Sequence, residues 1–297
     1  MRLAFINDVR TLAIACVLLL SAATAVPAQE LVTMTGGASV YVVRPGDTLA
    51  SVAARFAMSV PALVAANGLG RPNTIAPGQT LSVDNAHLAV VDAGTPITIN
   101  IAQRMLFFAA DGRVSGYPIT VGQSSWPTPV GSFTIVDKER DPVWDVPVSI
   151  QREMEQQGKP VITRMPPSPQ NPLGAHWLRL SIPSLGIHGT NAPSSIYRYG
   201  SHGCIRMHPE HIAELFERVA IGTAGVLKYE PIILAPIGER VWLEVHPDPY
   251  RRRLQPERYL REMADRLALG HRVDWNKAIA ALRERAGRPA DVTAGAP

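Results

Sequence analysis

The chain has 297 residues, 46% of them hydrophobic, enough for a sizeable core and more than one domain. Its 29 lysines and arginines against 25 aspartates and glutamates give a formal charge of +4. That mild balance suits an anionic environment but is too small to point to nucleic acid.

The first thirty residues read as an export signal. Arg2 and Arg10 form a basic start, "TLAIACVLLLSAATA" is a short apolar run, and Ala25 and Ala28 offer small-residue cleavage positions. The run is shorter than the roughly 20 residues that span a bilayer, so residues 1–28 are expected to be a cleaved signal peptide. Cys16 sits ahead of the strongest apolar stretch, which argues against a lipoprotein signal. No later segment is long and apolar enough to cross a membrane. Cleavage after Ala28 leaves 27 basic against 24 acidic residues and a single thiol, Cys204. An intramolecular disulfide is then impossible. An odd thiol in an oxidising compartment points to a reactive residue, the alternative being a small buried hydrophobe.

Residues 40–84 read as strand, helix, helix, strand. Tyr41–Val43 is a short strand and "RPGD" a turn. Asp47 or Thr48 caps a helix with Leu49, Val52, Ala53 and Phe56 on one face. Ser59 caps a second helix with Pro61 in its first turn, and Asn67-Gly68 closes it. "IAPGQTLSV" leads into the last strand. With "YVVRPGDTLASVAARF" and "AANGL", these strings resemble a LysM module, a small α+β (βααβ) unit. That resemblance implies binding to N-acetylglucosamine-containing glycans, peptidoglycan among them.

Residues 95–235 are rich in short β-branched or alternating runs separated by Pro and Gly. Strands are expected near 97–101, 105–109, 117–121, 132–136, 177–181, 225–227 and 232–234, with one amphipathic helix from about Pro209 to Val219. "PPSPQNPLGA", from Pro166 to Ala175, reads as an ordered surface loop and part of a lid. Residues 238–297 suggest two short helices behind an arginine run, a helical C-terminal extension with a basic face, and "ADVTAGAP" a frayed tail.

The chemistry concentrates in "GIHGTN" and "SHGCIRM". A thiol of ordinary pKa, about 8.5, is only a few per cent ionised at neutral pH, so a nucleophilic cysteine needs a base, something to orient that base, and donors for an oxyanion. His188 ends an apolar strand, and Cys204 follows sixteen positions later. Gly203 permits close backbone approach, so the amides of Gly203 and Cys204 can share one oxygen. Arg206, two positions on in extended chain, shares a face with Cys204 and suits a carboxylate.

The string "IHGTNAPSSIYRYGSHGCIRM" resembles the catalytic signature of the YkuD-type L,D-transpeptidases, H-G-T followed by S-x-G-C-I-R, and the likeness spans essentially the whole second block. It implies a mainly β catalytic domain, a mixed-sheet β-sandwich with one main helix. It also implies that Cys204 is the nucleophile and His188 its base, that the Gly189 carbonyl orients His188, that His202 and Gly203 shape the oxyanion region, and that Arg206 contacts substrate carboxylates. The implied reaction acylates the cysteine with a peptidoglycan tetrapeptide, expels D-alanine, and transfers the acyl group to an amine. That amine belongs to another stem, giving a 3→3 crosslink, or to a lipoprotein lysine. No metal or nucleotide is required, and the implied location is the periplasm. The residues alone leave other readings open: a hydrolytic L,D-carboxypeptidase or endopeptidase on the same pair, a non-catalytic wall-binding protein, and a zinc site from Cys204, His202, His208 and His211.

Overall fold

The computed structural model describes residues 30–70, 74–92 and 94–295, and the expected signal peptide at 1–28 lies outside the described residues. Strands Ala38–Val42 and Thr80–Asp84 pair antiparallel, and helices Leu49–Arg55 and Val60–Ala66 pack on them through Leu49, Val52, Leu63, Leu81 and Val83. Local chemistry starts both helices. Thr48 and Ser51 exchange reciprocal side-chain bonds, and Ser59 accepts from the Ala62 amide. At the second helix end only Gly68 is left-handed, with φ +57°. Asn67 acts through its side chain instead: Nδ2 donates to the carbonyls of Leu63 and Ser82, and Oδ1 accepts from the Ser82 amide at 2.6 Å.

This small unit is inserted into a longer ribbon. Strand Glu30–Thr35 before it pairs antiparallel with His87–Asp92 after it, so both its ends are held side by side. Its first helix rests on the Pro193–Ser195 turn, and Arg44 and Arg55 both pair with Glu210. Such half-exposed ion pairs add little, about 1 kcal/mol at most each. Burial of Ala57 against Phe107 contributes to the same junction.

The second block forms one mixed sheet of nine strands. The long strand Arg113–Gly122 pairs on one side with Met105–Ala110 and, further along, with Tyr199–Ser201, and on the other side with Ile205–Met207, which closes the sheet on itself. Helix Pro209–Arg218 lays Ile212, Leu215 and Phe216 on the sheet's apolar side, where Ile119, Leu178, Ile187, Ile205 and Met207 are buried. The opposite side of strands Gly131–Arg140, His176–Leu180, Gly186–His188 and Ile205–Met207 carries the chemistry.

The C-terminal extension holds the two expected helices, Pro256–Arg266 and Trp275–Glu284, and also a three-stranded sheet that includes Ile232–Ile237. That strand, assigned from sequence to the second block, pairs with Arg240–Val245, which pairs with Pro289–Asp291. The tail is therefore not frayed at its start: Val292 is fully buried and its carbonyl accepts from the Asp274 amide. Backbone pairing places this polar segment, and backbone pairing leaves no mark in composition.

One buried carboxylate joins the blocks. Glu244 Oε1 lies 2.7 Å from His87 Nδ1, 2.6 Å from His246 Nε2 and 2.9 Å from Gln103 Nε2, while Oε2 accepts from the Leu88 amide at 2.6 Å. With four donors, the carboxylate is held ionised, well below the usual carboxylate range, although its burial alone pushes the other way. Three donors crowd a single oxygen at hydrogen-bond spacing, while the other ring nitrogen of His246, Nδ1, is buried without a hydrogen-bond partner. We expect Glu244→Ala to strand these donors and to lower stability by about 3 kcal/mol or more in denaturant unfolding.

Candidate active site

Strands Gly186–His188 and Ile205–Met207 run parallel with Ile187 beside Ile205 and His188 beside Arg206. The two isoleucines point into the core. Their neighbours point to the opposite face, so His188, Arg206 and Cys204 share it. Strand spacing puts the α-carbons of His188 and Cys204 about 8 Å apart on the diagonal. All three side chains line one cavity of about 880 Å³. Cys204 is partly accessible at its floor, whereas His188 is 4% exposed.

The sulfur lies 3.6 Å from the Ser184 carbonyl and within reach of the Gly186 amide. Burial pushes its pKa above the ordinary thiol value, against smaller opposing effects from that amide and from Arg206. His188 Nδ1 is 2.7 Å from the Gly189 carbonyl oxygen. A carbonyl only accepts, so Nδ1 carries the proton and Nε2 keeps its lone pair. Burial, reinforced by the charge of Arg206, lowers the imidazole pKa to about 3. Thiol and imidazole are therefore both neutral at rest near pH 7.

The other expected site residues are placed as follows. His202 lines the cavity, with Nε2 2.5 Å from Glu153 Oε2 and its ring against Trp126. Arg206 lines it too and has no acidic partner among the described residues. Gly203 has φ +108°, a conformation that favours glycine, but its amide donates to Ser201 Oγ at 3.1 Å. That donor is committed, so sharing one oxygen between the amides of Gly203 and Cys204 does not fit this geometry. His208 and His211 are outside the cavity: their rings are 5.3 Å apart, and His211 Nδ1 is buried without a hydrogen-bond partner. The four groups of the zinc reading thus face different ways.

Several site residues have no motif in the sequence. Trp177 stands beside His188 in register and stacks on its ring at 5.6 Å. Its indole lies over Gly186, where any Cβ would sit 2.4 Å from the ring. Helix Val148–Gln156, unmarked in the sequence reading, buries none of its own residues. It brings Ser149 and Ile150 to the cavity wall and Glu153 to His202. The Pro-rich loop at 166–175 supplies Pro172 and Leu173 to the wall and is tied by Asn171, whose Nδ2 donates to the carbonyls of Pro142 and Pro166.

Comparison with known proteins bears on the same segments. A family model described as the L,D-transpeptidase catalytic domain, YkuD, matches residues 95–234, and a LysM domain model matches residues 41–84. The "Probable L,D-transpeptidase ErfK/SrfK" of Salmonella typhimurium is 30% identical over 260 residues, covering 84% of each chain. The same-named protein of Escherichia coli is 31% identical over 214 residues, covering 67% of each. YkuD of Bacillus licheniformis is 33% identical over 184 residues, covering 62% of this chain and 94% of the relative. With the likeness running through both modules and across most of its length, the chain belongs to the L,D-transpeptidase family and carries a YkuD catalytic domain behind a LysM domain.

Proposed function

We propose that the protein is a periplasmic L,D-transpeptidase using Cys204 as nucleophile. His188 Nε2 takes the thiol proton as the sulfur attacks the carbonyl of the diamino acid at stem position three. Terminal D-alanine leaves with a proton returned from His188, and a thioester remains on Cys204. The Cys204 amide donates to the oxyanion in place of the committed Gly203 amide. Gly189 fixes the base's tautomer, Glu153 holds His202 in the cavity wall, and Arg206 receives a stem carboxylate. The LysM module binds glycan and keeps the catalytic domain on the wall.

The observation that carries this reading is a partly accessible thiol and a buried imidazole, its Nδ1 bonded to the Gly189 carbonyl, that line one cavity. Incubating the mature chain with disaccharide-tetrapeptide and following products by mass spectrometry tests it. The expected result is D-alanine release with a 3→3 linked dimer. Tripeptide as the sole product would make the protein a hydrolase, and unchanged substrate would refute the reading.

A further inference from the structure

We propose that the Glu139 end of the catalytic cavity is a subsite for a cationic amine, the acyl acceptor. The proposal rests on the acyl-transfer reading above. Four charged side chains other than histidine line the cavity: Glu139, Asp145, Arg179 and Arg206. Arg179 pairs with Asp137 at 3.0 Å, and Asp145 with Arg164 at 3.4 Å. Arg206 and Glu139 have no ion-pair or hydrogen-bond partner for their side chains among the described residues.

These two open charges end one cross-strand row. Arg206 stands beside His188, His188 beside Trp177, and Trp177 beside Glu139. Direct partners across a sheet point to the same face. The adjacent row points the other way: Lys138, beside Leu178, donates to the carbonyls of Phe216 and Val219 behind the sheet. Three strand spacings separate the ends of the row, about 14 Å between α-carbons. The cavity floor thus runs guanidinium, imidazole, indole, carboxylate, with the thiol one diagonal step from the imidazole.

The order assigns the two substrates to different ends. Peptidoglycan stems are rich in carboxylates, which Arg206 attracts and Glu139 repels. Once the donor is a thioester on Cys204 with a carboxylate at Arg206, that end is filled. The acceptor must reach His188 from the remaining side, across Trp177. An ammonium is stabilised over an indole face and next to a carboxylate. It sheds one proton to solvent, and the neutral nitrogen attacks the thioester carbon. A C–N bond forms, the C–S bond breaks with its electron pair going to sulfur, and the nitrogen's second proton passes through His188 to the departing thiolate. Glu139 acts before this step by gathering amine where water would otherwise compete.

The test uses the mature chain with disaccharide-tetrapeptide as donor and Nα-acetyl-lysine as added acceptor, comparing Glu139→Gln and Glu139→Lys with the unaltered protein. Mass spectrometry reads the ratio of amide adduct to hydrolysed tripeptide, which does not depend on the rate of the first step. We expect the ratio to fall about 3-fold in Glu139→Gln and about 10-fold in Glu139→Lys, as for a partly exposed charge contact. The deficit should shrink at about 0.5 M salt, where screening is strong. With hydroxylamine, a nucleophile uncharged near neutral pH, the ratio should hold. An unchanged ratio with the lysine derivative, or an equal fall with hydroxylamine, overturns the subsite. Slower D-alanine release at unchanged ratio would move Glu139 to the donor and overturn it as well. Failure of the unaltered protein to release D-alanine would instead remove the acyl-transfer reading itself and this subsite with it.

Discussion

Cys204→Ala is expected to release no measurable D-alanine from a tetrapeptide stem, a loss of about 10⁵-fold or more, while binding to isolated cell walls persists. Both halves of that result follow from the structure. Cys204 is the one cysteine after residue 16, and its sulfur lies 3.6 Å from the Ser184 carbonyl and within reach of the Gly186 amide, where alanine offers no nucleophile. The LysM module has its own core, with Leu63 and Leu81 fully buried in it, and its ion pairs to the catalytic domain fall on Glu210, outside the cavity lining. Stability should move little, by about 1 kcal/mol or less, because the partly accessible sulfur makes only weak contacts, with the Ser184 carbonyl and the Gly186 amide. Cell-wall pelleting, D-alanine release and thermal melting on the same preparation check all three. Simultaneous loss of wall binding would contradict the separation of the modules.

What could be read from the sequence divides along the range of the interactions involved. Thr48, Ser59, Pro61 and Pro209 announce helix starts because a cap is made within three residues. His188 and Cys204 stand out because glycines flank them on strands only sixteen positions apart, so the motif is itself short-range. The Arg206–His188–Trp177–Glu139 row is invisible by contrast. It depends on strand register, and a one-residue slip would turn each member to the other face. The same holds for His87 with Glu244, which are 157 positions apart. Strand Arg240–Val245 did carry a signal: Val241, Leu243 and Val245 alternate into the core. The bond from the Gly203 amide to the hydroxyl of Ser201 is likewise invisible, because sequence alone does not orient that hydroxyl.

Replacing His188 by alanine is expected to lower kcat/KM about 10³-fold near neutral pH, the usual size of a lost general base. The charge states at rest make a sharper statement possible. In a preformed thiolate–imidazolium pair, alkylation of the sulfur would be fast and nearly independent of pH down to mildly acid conditions. Here burial raises the thiol pKa and lowers that of His188 to about 3. Alkylation of the free protein by iodoacetamide should therefore rise with pH and inflect above the ordinary thiol range. A plateau extending below neutrality would show an ion pair and refute the neutral dyad. The same shift sets a stability trend. Between the unfolded histidine value of about 6.5 and the folded value of about 3, the unfolded chain binds a proton at this position that the folded chain does not. Stability should consequently fall as pH drops through that window, and His188→Ala should flatten the fall. Attack on a substrate then needs the proton to move from sulfur to nitrogen as the new bond forms. In the proposed reaction a stem carboxylate placed against Arg206 offsets the lesser of the two effects that lower the imidazole pKa, burial being the greater, and so eases that transfer. Adding a stem-like carboxylate ligand should accordingly raise the apparent pKa of His188, measurable as a shift of its ring proton resonances, and Arg206→Gln should abolish that shift.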